Sequence, residues 1–193
     1  SGEIRRCPTR LSYELKWCNS GEILSGLRKG INILMETSFK LKTDKSHQPL
    51  MCVTATSGQG KTDTLQHVRD DADMQQTIID IINTSLVERR SPLRCKFCVP
   101  VFATFGQGTE FDPIVEGPFV AAALINRLLC DYLGVSFRAS RTRRFQELEL
   151  RDLTTMIRRR TAKDRGCQEN EVCVVILVDE LRKLRTGGSE HMR

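Results

Sequence analysis

Val172-Cys173-Val174-Val175-Ile176-Leu177-Val178 is an unbroken apolar run, largely β-branched, that stops abruptly at Asp179-Glu180. A strand with one wet face alternates apolar and polar side chains, so a run without alternation needs cover on both faces. Parallel strands sandwiched between helices provide that cover. The run therefore predicts a layered α/β fold: a three-layer sandwich around a mostly parallel central sheet, with its ligand site outside the carboxyl ends of the strands.

The rest of the chain supplies the helices such a fold requires. Leu24, Leu27, Ile31, Leu34 and Met35 recur at three- and four-residue spacing and predict a helix from Ser20 to about Leu41, with Asn19 or Ser20 as its N-cap. Leu65 and Val68 suggest a short helix broken near Asp70–Asp73, and Ile78, Ile81, Ile82 and Leu86 a second from about Met74 to Val87. Further helices are expected at Phe119–Leu133, closed by Gly134, and at Arg143–Thr161. Two more strands are expected: Leu50–Val53, and Cys95–Phe105 with a bend or bulge at Pro100.

Between Leu50–Val53 and the helix at Leu65 lies Ala55-Thr56-Ser57-Gly58-Gln59-Gly60-Lys61-Thr62. Strand, glycine-rich turn and helix are the context of a phosphate-binding loop. Small residues let successive N–H groups curl around an anion, and the helix N-terminus adds partial positive charge. In that reading residues Ala55 to Thr62 bind nucleotide, Lys61 reaches the β and γ phosphates, and the Thr62 hydroxyl ligates Mg²⁺. The strict pattern opens with Gly where this chain has Ala55.

Asp179-Glu180 completes the expectation. An apolar strand delivers Asp179 to the carboxyl edge of the sheet, where it can orient Mg²⁺ through a water. Glu180 is then placed to accept a proton from water attacking the γ-phosphate. The expected cofactors are ATP and Mg²⁺, and the Asp-Glu pair leans towards ATP hydrolysis.

Taken in order, Ala55–Thr62, the strand ending Phe102-Ala103-Thr104-Phe105-Gly106-Gln107-Gly108-Thr109, the helix Ala121–Gly134 and the segment Val174–Leu184 resemble a known module. It is the ATPase module of crinkler-type proteins and of the related retrotransposon-hot-spot proteins of trypanosomatids, and the resemblance covers roughly residues 20–185. It implies an intracellular, cytoplasmic or nuclear, P-loop ATPase coupled to other domains of a longer chain. Lys61 and Thr62 would carry the phosphate and Mg²⁺ contacts, Asp179 the metal, and Glu180 the catalytic base. Only thirteen residues follow Glu180, too few for the further strand and lid such ATPases carry, so the fold is expected to be incomplete at that end. Residues 1–19 show no clear period and form a lead-in to a domain at 20–193.

Composition narrows the partners. The chain of 193 residues is 39% hydrophobic and 28% charged, a globular balance, and no apolar run approaches the roughly 20 residues that cross a bilayer. The formal charge of +6 resides in one stretch, residues 136–165, with ten Lys or Arg against four Asp or Glu. That stretch is either a solvated helix face or an electrostatic footprint for nucleic acid or an acidic protein. A helicase-like nucleic-acid-stimulated ATPase and a non-hydrolysing nucleotide-binding module are the alternatives to a switch ATPase. Cys95-x-x-Cys98 lacks a second ligand pair at zinc spacing, and the cysteines inside apolar runs read as small hydrophobes of a reduced protein.

Overall fold

Capping residues and apolar spacing delimit the elements of the computed structural model, which describes residues 20–39, 61–106, 110–112, 116, 120–137 and 148–180. Among these residues the chain forms α1 (Ser20–Phe39), α2 (Lys61–Asp70), α3 (Ala72–Glu88), β1 (Phe97–Thr104), α4 (Val120–Leu133), α5 (Leu150–Arg165), a 3-10 turn at Glu169–Glu171 and β2 (Val172–Asp179). The strand expected at Leu50–Val53 and loop residues 55–60 lie outside the described residues.

β1 and β2 pair in parallel from Phe97↔Val172 to Thr104↔Asp179. Alternate side chains then divide between two layers. Phe102 and Leu177 meet Ile31, Val68, Met74, Ile78 and Ile81 of α1, α2 and α3. Val101, Ala103, Val174 and Ile176 meet Ile125, Leu128, Leu129, Leu153 and Ile157 of α4 and α5. The apolar run of β2 is thus covered on both faces, as its lack of alternation predicts, in an α/β fold of five helices and a two-stranded parallel sheet among the described residues.

Pro100 corrects one expectation. The ladder runs through Pro100↔Val175 without a bulge. The reason lies in the alternation of backbone groups: Phe102 N–H points away from β2 and donates to Asp131 Oδ2 at 2.8 Å. Pro100, two residues earlier, directs its nitrogen to the same outer edge, where no ladder bond is lost. Arg69 Nη1 holds the other Asp131 oxygen at 3.3 Å, and its guanidinium lies 5.3 Å from the Phe102 ring centroid. Residues of α2 and α4 therefore meet around the outer side of β1.

Helix boundaries follow their caps. Asp71 separates α2 from α3 as a single residue, accepting the Met74 N–H at 2.9 Å. α5 begins at Leu150 rather than Arg143 and runs on to Arg165, a second correction. Its start is set by a reciprocal box in which Glu149 N–H donates to Asp152 and Glu149 caps the first turn. Gly134 and Gly166, both at φ +64, close α4 and α5 in the left-handed conformation that L side chains disfavour. The Asn83 side chain clasps both backbone groups of Cys95, at 2.8 and 2.9 Å, and so fixes where the chain enters β1.

Candidate nucleotide site

The carboxyl end of the sheet is built from three segments. α2 opens with Lys61 and Thr62, β1 ends at Thr104-Phe105-Gly106, and β2 delivers Asp179 and Glu180. Register explains why they converge. Asp179 pairs with Thr104, and the Asp179 side chain falls on the face that α2 covers. There the Thr62 hydroxyl donates to Asp179 Oδ2 at 2.7 Å, a contact between residues 117 positions apart. Asp179 is buried, and its carboxylate is held at the N-terminus of a helix, where the partial positive charge of the helix end favours an anion.

Glu180 leaves the strand with φ +59, in the left-handed region. A non-glycine residue there costs on the order of 1–3 kcal/mol, and such strain concentrates at functional positions. Its side chain folds back over Gly106: a Cβ on Gly106 would stand 3.3 Å from Glu180 Cγ and 3.4 Å from Cδ. Phe105 N–H reaches Asp179 O at 3.3 Å, so the two strand ends stay joined beyond the ladder.

Behind this edge sits a buried ion pair that the sequence reading missed. Arg127 of α4 donates from Nη2 to both Glu116 carboxylate oxygens at 2.9 Å, with side chains 3% and 2% exposed. Its Nη1 donates to Thr104 O at 2.7 Å. The guanidinium lies between the rings of Phe105 and Phe137, 4.2 and 4.1 Å from their centroids. Arg127 stands one turn from Ala123 and Cys130, both buried; a charge on an apolar helix stripe is the signal that marked it.

Of the sequence-predicted site residues, Lys61, Thr62, Asp179 and Glu180 fall at this one edge, and Thr62 and Asp179 touch. Ala55, Thr56, Ser57, Gly58, Gln59 and Gly60 lie outside the described residues. Thr104, another residue of the edge, has its Oγ1 accepting the Gly106 N–H at 3.2 Å, which tightens the turn. Within the basic stretch, Arg158 donates to Glu169 O at 2.9 Å, Arg159 to the Glu169 carboxylate at 3.2 Å and Arg160 to Asp164 at 3.0 Å. Much of the described part is thus engaged with the chain's own acids and backbone.

A group of thiols, those of Cys95, Cys98 and Cys173, lies at the opposite end of the strands. Hydrogen bonding to Cys173 and then burial push the Cys95 thiol far up. Cys173 is lowered by Cys95 but raised by Cys98 and by burial, for a net value of about 12. Cys95 and Cys173, so held, stay protonated and are poor nucleophiles. Among the described residues no cluster of three His, Cys, Asp or Glu is arranged to hold a metal ion, and no helix is long and apolar enough to cross a membrane. No protein-family model, curated protein or solved structure matches the chain.

Proposed function

We propose that this chain is a P-loop module that binds Mg-ATP through residues 55–62 and hydrolyses the β–γ bond to drive a conformational switch. The observation that carries the reading is the 2.7 Å contact of Thr62 with Asp179. Thr62 and Asp179, from two stretches read independently and far apart in sequence, meet at the carboxyl edge of a parallel sheet, where α/β folds bind ligands.

The donor set fits Mg²⁺. A hydroxyl and a carboxylate are hard oxygen donors, and Mg²⁺ takes one or two protein oxygens, filling its octahedron with phosphate and water rather than with a protein cage. Thr62 and Asp179 would hold the ion, and it would neutralise charge on the β and γ phosphates. The chain's own residues do the rest. Lys61 presents its ammonium from the first turn of α2 to the same phosphates. Glu180, braced beside Asp179, accepts the proton of the attacking water.

Binding of a fluorescent ATP analogue and release of phosphate by the whole chain test this. Lys61→Ala should abolish binding. Glu180→Gln should keep binding and lower turnover by about 10²–10⁴-fold. Absence of Mg²⁺-dependent nucleotide binding by the unaltered chain would refute the proposal. Binding without turnover would reduce it to a nucleotide-binding interaction module. Turnover stimulated by single-stranded nucleic acid in a salt-sensitive way would move it to the helicase-like class.

A further inference from the structure

We infer that Gly106, and the Arg127–Glu116 pair behind it, are positioning residues that set where the Glu180 carboxylate stands. The inference rests on the hydrolytic reading for its consequence in catalysis, but not for its geometry. Glu180 projects from a left-handed backbone, so its side chain cannot follow the alternation of β2 and needs a surface to lie on. Gly106 provides that surface. With a side chain at position 106 the new Cβ would meet Glu180 Cγ at 3.3 Å, Cδ at 3.4 Å and Oε1 at 3.5 Å, so the carboxylate would have to give by a few tenths of an ångström.

Gly106 is itself held from behind. Its N–H donates to Thr104 Oγ1 at 3.2 Å, and the Thr104 carbonyl accepts from Arg127 at 2.7 Å. Arg127 also covers the Phe105 ring and is fixed in direction by the two-pronged contact with Glu116. One guanidinium thus grips the two residues that precede Gly106, one by its carbonyl and one by its ring. Phe105 N–H on Asp179 O ties the same segment to the residue preceding Glu180. Displacing Arg127 moves the floor; adding a methyl group at Gly106 raises it. Either way the carboxylate shifts relative to Asp179, while the phosphate-contacting residues at the start of α2 stay in place.

The test uses the whole chain with Gly106→Ala, Arg127→Lys and, as a control, Gly26→Ala, because a Cβ at Gly26 meets nothing within 4 Å. Two readouts are taken. The first is the ¹³Cδ resonance of Glu180 in nucleotide-free protein at fixed pH, assigned by its absence from Glu180→Gln. The second is kcat for ATP beside the dissociation constant of the fluorescent analogue. G106A and R127K should each move the resonance and lower kcat by about tenfold, as sub-ångström misplacement of a reacting group does. The dissociation constant should stay within about twofold, the pattern of an interaction used only in the transition state. G26A should change neither.

An unmoved resonance in both G106A and R127K overturns the positioning role, even if kcat falls. So does a loss confined to the urea midpoint, which is what a purely structural residue gives. A resonance that moves in a chain that never hydrolyses ATP upholds the positioning and removes the catalytic reading. A fixed resonance in an active ATPase does the reverse.

Discussion

Replacing Arg127 by Met removes a charge from one of the most enclosed sites in the described structure and leaves an aliphatic chain of similar length between Phe105 and Phe137. Both side chains of the ion pair are nearly inaccessible, so little solvent screening reduces the effect. The variant leaves the Glu116 carboxylate buried with its guanidinium partner gone. Breaking a buried pair in this way costs about 3–5 kcal/mol. Loss of the donor to Thr104 O lies within the same range, since it is part of one rearrangement. For a chain of this length about 1 kcal/mol corresponds to about 2–4 °C, so the melting temperature should fall by about 10 °C. Glu116→Leu should cost a comparable amount, with an added loss because Glu116 Oε1 accepts the Asp112 N–H at 3.1 Å. The double variant R127M/E116L should be less destabilised than the sum of the two by about 2 kcal/mol or more, because no uncompensated charge remains. Urea unfolding followed by circular dichroism, with midpoints compared at equal slope, measures all three. A cost for R127M below about 1 kcal/mol, or a coupling below about 0.5 kcal/mol, would show that the pair does not fix the end of β1.

Three further outcomes follow from the same geometry. Asp131→Ala strips the acceptor from Phe102 N–H and one of the two carboxylate partners from Arg69, which keeps Asp70, and should cost about 2 kcal/mol in urea unfolding; Asp131→Asn, which keeps an acceptor, should cost less. The Cys95 and Cys173 thiols have folded-state values above the ordinary 9.0, so their contribution is complete below pH 9 and is lost as pH rises beyond it. Stability should therefore fall above pH 9, and Cys95→Val with Cys173→Ala should flatten that fall, while iodoacetamide at pH 8 should label these two thiols only after unfolding. The Glu171 carboxyl, hydrogen-bonded to Lys96 at 2.7 Å and then to backbone, titrates below the ordinary 4.5. Its contribution is present above pH 4.5 and lost as pH falls below it, so the stability difference between the native chain and Lys96→Ala should vanish in acid.

The helices were legible where one stripe of apolar residues repeats, as in α1 and α3, and β2 was legible because its run lacks alternation. That Thr104 and Asp179 share one edge followed from fold class, since parallel strands bring their carboxyl ends together. What escaped sequence reading depends on tertiary contacts. Pro100 suggested a bend or bulge because propensity does not reveal which edge its nitrogen faces. The start of α5 was misplaced because the Glu149–Asp152 box outranks the arginine-rich stretch before it. Glu116 sits in a segment without period, and nothing local joins it to Arg127. The left-handed turn at Glu180 has no residue signature at all, since glycine is what that conformation favours.

The closure around β1 decides how the sheet can be extended. With Phe102 N–H taken by Asp131, Arg69 bridging from α2, and Pro100 offering no N–H, the outer side of β1 is a terminus rather than a template. Addition of strands is thereby polarised. Among the described residues, a strand added from another protein would find that side closed between Pro100 and Phe102 and the β2 side open to it. A new neighbour for β2 would settle beside Asp179 and Glu180, so it would also wall the edge where Thr62 meets Asp179.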